Sequence, residues 1–294
     1  MVPLDLWSYA PETALYEAAG PPDWLDELDL RPGSPFMKMA TRTVDPSTSF
    51  LLDEFTPSEL DLRNRLLDEQ HDVVFAANPA ADDASHEVLD LVRALGRGVP
   101  RNDCHPLEAA GRLVAEDLCL MVRRAGSWQL DAAALCFPSI WSLTEKLGQS
   151  TAGIHGPVPH YEGTLSDQVD RFFDGLRPGR IVGRRNLSVK PFPLLFLPLG
   201  KGAQPTDPDT TNDDGSPWWL RSEFQTLQRL PESGAILFTI KLQLTPASVL
   251  LDRPDRARDL LAMYQSWDPP MWAFKAATND LRHSFLPWLA QSAG

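Results

Sequence analysis

The segment around His155 combines residue types that can present one imidazole in a fixed direction. It reads Ile154-His155-Gly156-Pro157-Val158-Pro159, and a second glycine stands at position 153. Proline fixes φ and lacks an N–H donor, and glycine reaches backbone angles that other residues avoid. The pattern therefore predicts a shaped loop that is neither helix nor strand. Neutral imidazole is a good iron ligand, so His155 is a candidate metal ligand, although a histidine in such a loop more often caps it.

Basic residues are concentrated between positions 171 and 201 of an otherwise acidic chain. The run Gly183-Arg184-Arg185-Asn186 has no acidic neighbour in sequence. Arginine forks bind carboxylates with two parallel hydrogen bonds, and haem carries two propionates. Arg184, Arg185 and Asn186 are therefore candidate cofactor-binding residues. The alternative is a solvated strand edge.

A second polar group consists of Arg221, Glu223 and Gln225. The spacing of two places all three side chains on one face of a strand. If that face lines a pocket, it offers a cation, a carboxylate and an amide together, which can orient an amine and polarise bound oxygen. The alternative, an ordinary outer face in water, is the more common pattern.

Composition excludes several classes of function. The chain has 294 residues and a net charge of −13, which argues against nucleic acid or an anionic membrane as a partner. Its three cysteines form no CxxC pair, and an odd number suits a reducing compartment. No signal peptide or membrane-spanning run is visible, so we expect a cytoplasmic protein.

Motifs for other chemistry are also missing from the sequence. It contains no GxSxG, P-loop, completed GxGxxG or HExxH motif. His71, His86 and His105 share no ligand-like spacing, so we interpret them as surface or capping residues. The acidic stretch from Asp207 fails the calcium-loop pattern, because Asn212 stands where glycine is required. Any reducing equivalents must therefore come from another chain or a diffusible donor.

Hydrophobic periodicity predicts an α+β protein with an antiparallel sheet. We expect an N-terminal arm over 1–50, anchored by Trp7, Trp24 and Phe36, one domain over 51–270 and a helical tail over 271–294. Helices are predicted from Thr56 (with a capping box to Glu59) and over 82–95, 106–117, 139–147, 165–176 and 253–265. A hairpin over 118–137 and strands over 181–189, 218–230 and 235–244 are also predicted, with a further strand candidate at 194–199 and a polar loop at 201–217.

Several ordered segments resemble the haem-dependent oxidative N-demethylase alpha-subunit-like family. The similar segments are Val114–Met121, Leu135–Gly148, Ile154–Pro159, Val169–Phe173, Arg185–Asn186, Gln225–Leu227, Arg229–Pro231 and Ala235–Ile240. The resemblance extends from about residue 50 to residue 265. It implies a PAS-like fold around a haem b pocket, with His155 as the iron ligand. The implied activity is NADPH- and oxygen-dependent N-demethylation of a small secondary amine, with electrons delivered by partner subunits that carry flavin and an iron–sulfur centre.

Under this interpretation Arg221, Glu223, Gln225 and Arg229 are the candidate catalytic residues, on the substrate side of the haem. The chain departs from the family at two positions. Phe224 stands where the family often has arginine, and Leu187 stands where it often has tryptophan. If the missing arginine serves the substrate side, the reaction differs here more than the haem site does.

Two other functions remain open at this point. PAS-like folds often sense ligands, so a non-catalytic haem-binding gas or redox sensor is the main alternative. Against it, no helix-turn-helix, kinase or coiled-coil output segment is evident. A structural subunit without a cofactor is the third possibility.

Overall fold

The computed structural model has an α+β architecture with one antiparallel sheet, as the periodicity predicts. It describes residues 4–32, 41–155, 165–200, 205, 216–275 and 281–294, with side chains for all of these except 155, 165–167, 274 and 275. The expected anchor Phe36 and nearly all of the polar loop at 201–217 lie outside the described residues.

Seven strands form the sheet within the described part of the chain. They are β1 (Arg42–Val44), β2 (Phe75–Ala77), β3 (Asp117–Arg124), β4 (Ser127–Ala134), β5 (Ile181–Lys190), β6 (Trp219–Arg229) and β7 (Ile236–Pro246). Their order is β1-β5-β6-β7-β3-β4-β2, and every pairing is antiparallel.

Helices lie on both faces of this sheet. They are α1 (Thr13–Ala18), α2 (Thr56–Glu69), α3 (His71–Val74), α4 (Asp82–Ala94), α5 (Pro106–Gly111), α6 (Leu143–Lys146), α7 (Thr151–His155), α8 (Leu165–Gly175), α9 (Pro254–Gln265), α10 (Pro269–Lys275) and α11 (Leu286–Ser292), with a π-helical turn at Leu281–Phe285. No helix among the described residues has the length and apolarity that a membrane span requires.

The two faces of the sheet bury different helices. We call the face that carries Arg221, Glu223 and Gln225 the front face, and the opposite one the back face. On the front face, side chains of α6, α7 and α8 pack on β3, β4 and β7 in one apolar cluster. On the back face, α4 and α5 cover the same strands, while α9 and α11 cover β5 and β6.

The two hairpins turn at residues with positive φ. Ala125 and Gly126 both have positive φ (48° and 86°), as the two-residue turn between β3 and β4 requires. Gly234, with a φ of 71°, closes the turn between β6 and β7. These two turns fix the registers of β3 with β4 and of β6 with β7.

The predicted capping box at Thr56 is wrong. Helix α2 begins there, but the Thr56 hydroxyl bonds to Asp53, and Glu59 does not cap the helix. Instead Glu59 is buried and pairs with Lys241 of β7. On β7, strand β3 pairs with Ile236–Ile240 and no further. Helix α2 can therefore lie beside the rest of β7, where Lys241 is found. For Glu59, the buried ion pair with Lys241 is therefore favoured over a capping contact at the start of α2.

Three other predicted elements differ from the structure. The helix over 106–117 ends at Gly111, because the carboxylates of Glu116 and Asp117 turn inward to accept backbone N–H groups. The helix over 139–147 is reduced to α6. The 194–199 segment makes one bridge, Ser139 to Leu197, and forms no strand. In and beside these segments, several backbone N–H and carbonyl groups bond to buried polar side chains and not to a neighbouring helical turn or strand.

The N-terminal residues pack on the body as expected. Trp24 is buried under α9, and Trp7 contacts Phe192 edge-on. The arm also supplies β1, a three-residue strand on the edge of the sheet, which the sequence pattern did not predict. Strands this short carry too few residues to show a period.

Candidate functional site

The polar residues of β5 and β6 form one connected group on the front face. In the register of the two strands, Arg184 lies opposite Gln225, and Asn186 lies opposite Glu223. Arg184 Nε donates to Gln225 Oε1 at 2.8 Å, and Gln225 Nε2 donates to Glu223 Oε2 at 2.7 Å. Asn186 Nδ2 also approaches Glu223 Oε2, at 3.4 Å. The two polar groups that the sequence showed separately are therefore one group.

Arg221 sits at the buried end of this group. Its side chain is fully buried and donates five hydrogen bonds, to the carbonyls of residues 137, 138, 194 and 195 and to the hydroxyl of Ser139. Burial lowers the pKa of Arg221 to about 10, so the side chain still carries its charge at neutral pH. Because every contact is internal, Arg221 holds the site together and does not reach into open space.

Glu223 is the carboxylate that the arrangement presents. Burial alone would raise its pKa. The hydrogen bond from Ser139, the charge of Arg221 and the amide donors Asn186 and Gln225 outweigh burial and hold the pKa below its ordinary value. The residue is partly exposed, and each carboxylate oxygen can accept more than one hydrogen bond. Glu223 is therefore an ionised acceptor that a cationic ligand can approach.

An apolar floor lies beside this polar group. Its partly exposed side chains pack on the front-face cluster and come from the sheet and from the helices that cover it: Leu227, Phe238, Trp141, Ile154 and Phe172. Leu227 follows Gln225 on the same face of β6, and Phe238 lies opposite Leu227 on β7. A flat apolar group with acidic substituents would find aromatic and aliphatic contacts here and arginine at one side.

His155 follows directly on a residue of this floor. Ile154 packs on the front-face cluster, and His155 is the next residue and the last of α7. The expectation that residues 154 and 155 avoid helical structure is wrong, since the helix includes both. The remainder of the expected loop, 156–159, lies outside the described residues, as does the side chain of His155.

The three histidines that the sequence assigned to surface or capping roles and two buried cysteines give no second candidate ligand. His105 caps α5 by accepting from the Leu107 N–H, His71 contacts Glu108, and His86 is exposed on α4, as the sequence predicts for surface or capping residues. Burial raises the pKa of the Cys136 thiol to about 12 and raises that of Cys119 too. Both thiols therefore remain protonated and are poor thiolate ligands.

Within the described ranges, no group of three or more His, Cys, Asp or Glu side chains could hold a metal ion. Haem iron takes one or two axial ligands from the protein and does not need such a cluster.

Arg185 lies on the back face, away from Arg184 and Asn186. Its Nε donates to Glu27 of the arm at 2.7 Å, and its guanidinium lies over the ring of Phe224, 5.0 Å from the centroid. Consecutive strand residues point to opposite faces, so the Arg184–Arg185 pair cannot serve one ligand from one side of the sheet. Arg185 therefore does not belong to the front-face polar group.

Arg229 shares the front face but lies at its far end. It is four residues beyond Gln225, about 13 Å along the strand. There it donates to the carbonyls of Asp174 and Leu176 at the end of α8 and lies over the Trp128 ring. These contacts anchor α8 on the sheet, and the structure does not bring Arg229 together with Glu223.

Ser139 is a site residue that the sequence pattern did not single out. Its hydroxyl donates to Glu223 Oε1 at 2.6 Å and accepts from Arg221 Nε at 2.9 Å. The only sequence signal was its place in the segment Leu135–Gly148, which resembles the family. Nothing in the local spacing relates a serine at 139 to a strand more than 80 residues later.

Comparison with known families bears on the interpretations left open above. A family model described as haem-dependent oxidative N-demethylase, alpha subunit-like matches residues 93–283. The chain belongs to this family. The family's name describes its members as haem-dependent and as resembling an oxidative N-demethylase. The match includes all of the front-face residues described here.

Both departures from the family pattern lie on the back face. Phe224 packs with Val44 and Ile181, and Leu187 packs against the cluster under α9. Neither side chain faces Glu223 or Gln225. Each belongs to a residue adjacent in sequence to the polar group, and adjacent strand residues point to opposite faces of the sheet. These substitutions therefore leave the front-face residues of the N-demethylase-like chain intact.

Replacing Arg184 tests whether the front face binds the acidic edge of a cofactor. We expect Arg184→Gln to weaken haem retention about tenfold to a hundredfold, since a hydrogen bond to a charged group contributes about 1.5–3 kcal/mol. The rate of haem transfer to excess apomyoglobin measures this.

Arg185→Gln is the matched control. It should lower the melting temperature, because Glu27 loses a partner, and leave the transfer rate near that of the wild type. Equal transfer rates for the two variants would contradict the assignment of Arg184.

Proposed function

We propose that the protein is a haem b-dependent oxidoreductase that oxidises a small amine on the front face of a PAS-like sheet. The proposal rests on the apolar floor of Leu227 and Phe238 and on the linked polar group of Arg184, Gln225 and Glu223 that continues along the same face. It also rests on His155, which follows the floor residue Ile154 in the chain. These residues fit a haem: a flat apolar ring, acidic propionates and one imidazole ligand each have a matching group. Family membership supports the same assignment.

In this proposal each group has a separate role. His155 would hold the iron, and Arg184 and Asn186 would bind the propionate side. The bound haem supplies oxygen activation, with electrons from a separate flavin and iron–sulfur reductase. Gln225 joins Arg184 to Glu223, so that the cofactor side and the substrate side are fixed relative to each other.

Glu223 is the proposed substrate anchor. Its ionised carboxylate can hold a protonated secondary amine by a charge-assisted hydrogen bond. The apolar floor excludes water from the N-methyl carbon. Oxidation of that carbon by O₂ with two electrons and two protons, followed by C–N cleavage, releases formaldehyde, water and the demethylated amine. Arg229 stays an anchor of α8 in this scheme.

The test has two stages on the full-length purified protein. Haemin titration should produce a Soret band that saturates at one haem per chain. With an NADPH-driven electron donor, small secondary amines should then stimulate consumption of O₂ and release formaldehyde. A saturating Soret band with no amine-dependent turnover would favour the haem sensor, and no haem binding at all would overturn the proposal.

A further inference from the structure

The segment from Cys136 to Ile140 is held in place by contacts on every side. The carboxylate of Asp117 accepts from the N–H groups of Cys136 and Phe137. Arg221 donates to the carbonyls of Phe137 and Pro138. The Ile140 N–H donates to the carbonyl of Leu197 at 3.0 Å. The backbone on either side of Ser139 therefore has little freedom to move.

Ile140 also holds an unusual backbone conformation. Its φ is 60°, in the left-handed region that a β-branched side chain rarely occupies. Such a conformation costs on the order of 1–3 kcal/mol and persists where surrounding contacts impose it, often at functional sites. Here the strained residue directly follows Ser139.

The two hydrogen bonds of Ser139 fix the direction of its hydroxyl proton. A serine hydroxyl can donate one hydrogen bond and accept others. Arg221 Nε can only donate, so the serine oxygen must accept from it, and the hydroxyl proton is left for Glu223 Oε1. A carboxylate that receives this proton donor is favoured in its ionised form.

We propose that Ser139 is a positioning residue that keeps Glu223 ionised and fixes the orientation of its carboxylate, with Arg221 acting through it. The importance of this for turnover rests on the function proposed above, in which Glu223 anchors a cationic substrate. Gln225 and Asn186 hold Oε2 in the same way that Ser139 holds Oε1, so the carboxylate plane is set from both oxygens. The lower pKa of Glu223 is consistent with this arrangement.

The test is a titration of Glu223 itself. The full-length protein is labelled with ¹³C at the glutamate carboxyl carbons, and the Glu223 signal is identified by its loss in Glu223→Gln. In Ser139→Ala the NMR titration midpoint should move to higher pH, on the order of one pH unit for one lost charge-assisted hydrogen bond. Ser139→Thr, which keeps the hydroxyl, should restore the wild-type midpoint.

Two further variants keep the proposal falsifiable. Ser142→Ala removes a nearby hydroxyl that bonds to Thr144, and it should leave the midpoint unchanged. Ser139→Cys keeps a side chain of similar shape with a weak donor, so it should raise the midpoint even if Ser139→Ala does not fold. An unchanged midpoint in the Ala or Cys variant, or an equal shift in Ser142→Ala, would overturn the proposal.

The titration needs neither haem nor turnover, so the two proposals can fail separately. A midpoint that depends on Ser139 in a protein that binds no haem would contradict the proposed function alone. In an active enzyme, Ser139→Ala should raise KM for a cationic amine most strongly at low pH, where Glu223 becomes protonated. A change in kcat alone, with KM constant across pH, would argue against positioning.

Discussion

Replacing Arg221 with methionine is expected to lower the free energy of unfolding by about 3–5 kcal/mol. The guanidinium is the shared donor for four buried carbonyls, which belong to two separate segments of the chain. Methionine fills much of the volume but donates no hydrogen bond, so these carbonyls would remain buried without a partner. Chemical denaturation followed by tryptophan fluorescence measures the change.

Two further variants show whether the planar geometry of the Arg221 guanidinium or its charge accounts for the loss of stability. Arg221→Lys keeps the charge but lacks the planar fork, so it should lose most of the same free energy. Arg180→Met removes an exposed arginine and should change stability by no more than about 0.5 kcal/mol. If Arg221→Met were as stable as Arg180→Met, Arg221 would not organise the site.

Replacing His155 with alanine is expected to abolish stable haem binding or to shift the Soret band strongly. In the proposed site His155 is the residue that bonds to iron, and the apolar floor alone supplies only hydrophobic contact. Haemin titration of the purified variant, followed by absorption spectroscopy, measures both the affinity and the coordination state. The apoprotein should keep its thermal stability, because the change leaves the buried cluster around Ile154 intact.

The chain supplies a matched control at His160, five residues later. His160→Ala removes an imidazole from the same stretch and should bind haem with the wild-type spectrum. Added imidazole should restore a wild-type-like spectrum to His155→Ala, because it can occupy the vacated ligand position. The reverse pattern, in which His160→Ala loses the band and His155→Ala keeps it, would refute the ligand assignment.

Local sequence information was sufficient where a regular period or a specific turn chemistry was present. The β3–β4 hairpin and the β6–β7 hairpin were predictable because alternating residues flank turns that need positive φ. It was insufficient where tertiary contacts override the local preference. Glu59 has the position of a capping residue, yet Lys241, 182 residues away in sequence, draws it into the interior.

The site residues also divide into features that the local sequence predicts and features that depend on tertiary contacts. Spacing of two on β6 correctly placed Arg221, Glu223 and Gln225 on one face, but it could not show that this face is largely covered. Adjacency in sequence suggested one role for Arg184 and Arg185, while strand alternation separates them to opposite sides of the sheet. The role of Ser139 depends on a left-handed residue and on a partner from another strand, and neither leaves a local pattern.

A crystal structure of the haem-loaded protein tests the central claim most directly. The account predicts one porphyrin on the front face, with its ring on Leu227 and Phe238, its propionates toward Arg184, and its iron bonded to His155. A haem on the back face, or iron bonded to any other residue with His155 directed away from it, would contradict the account.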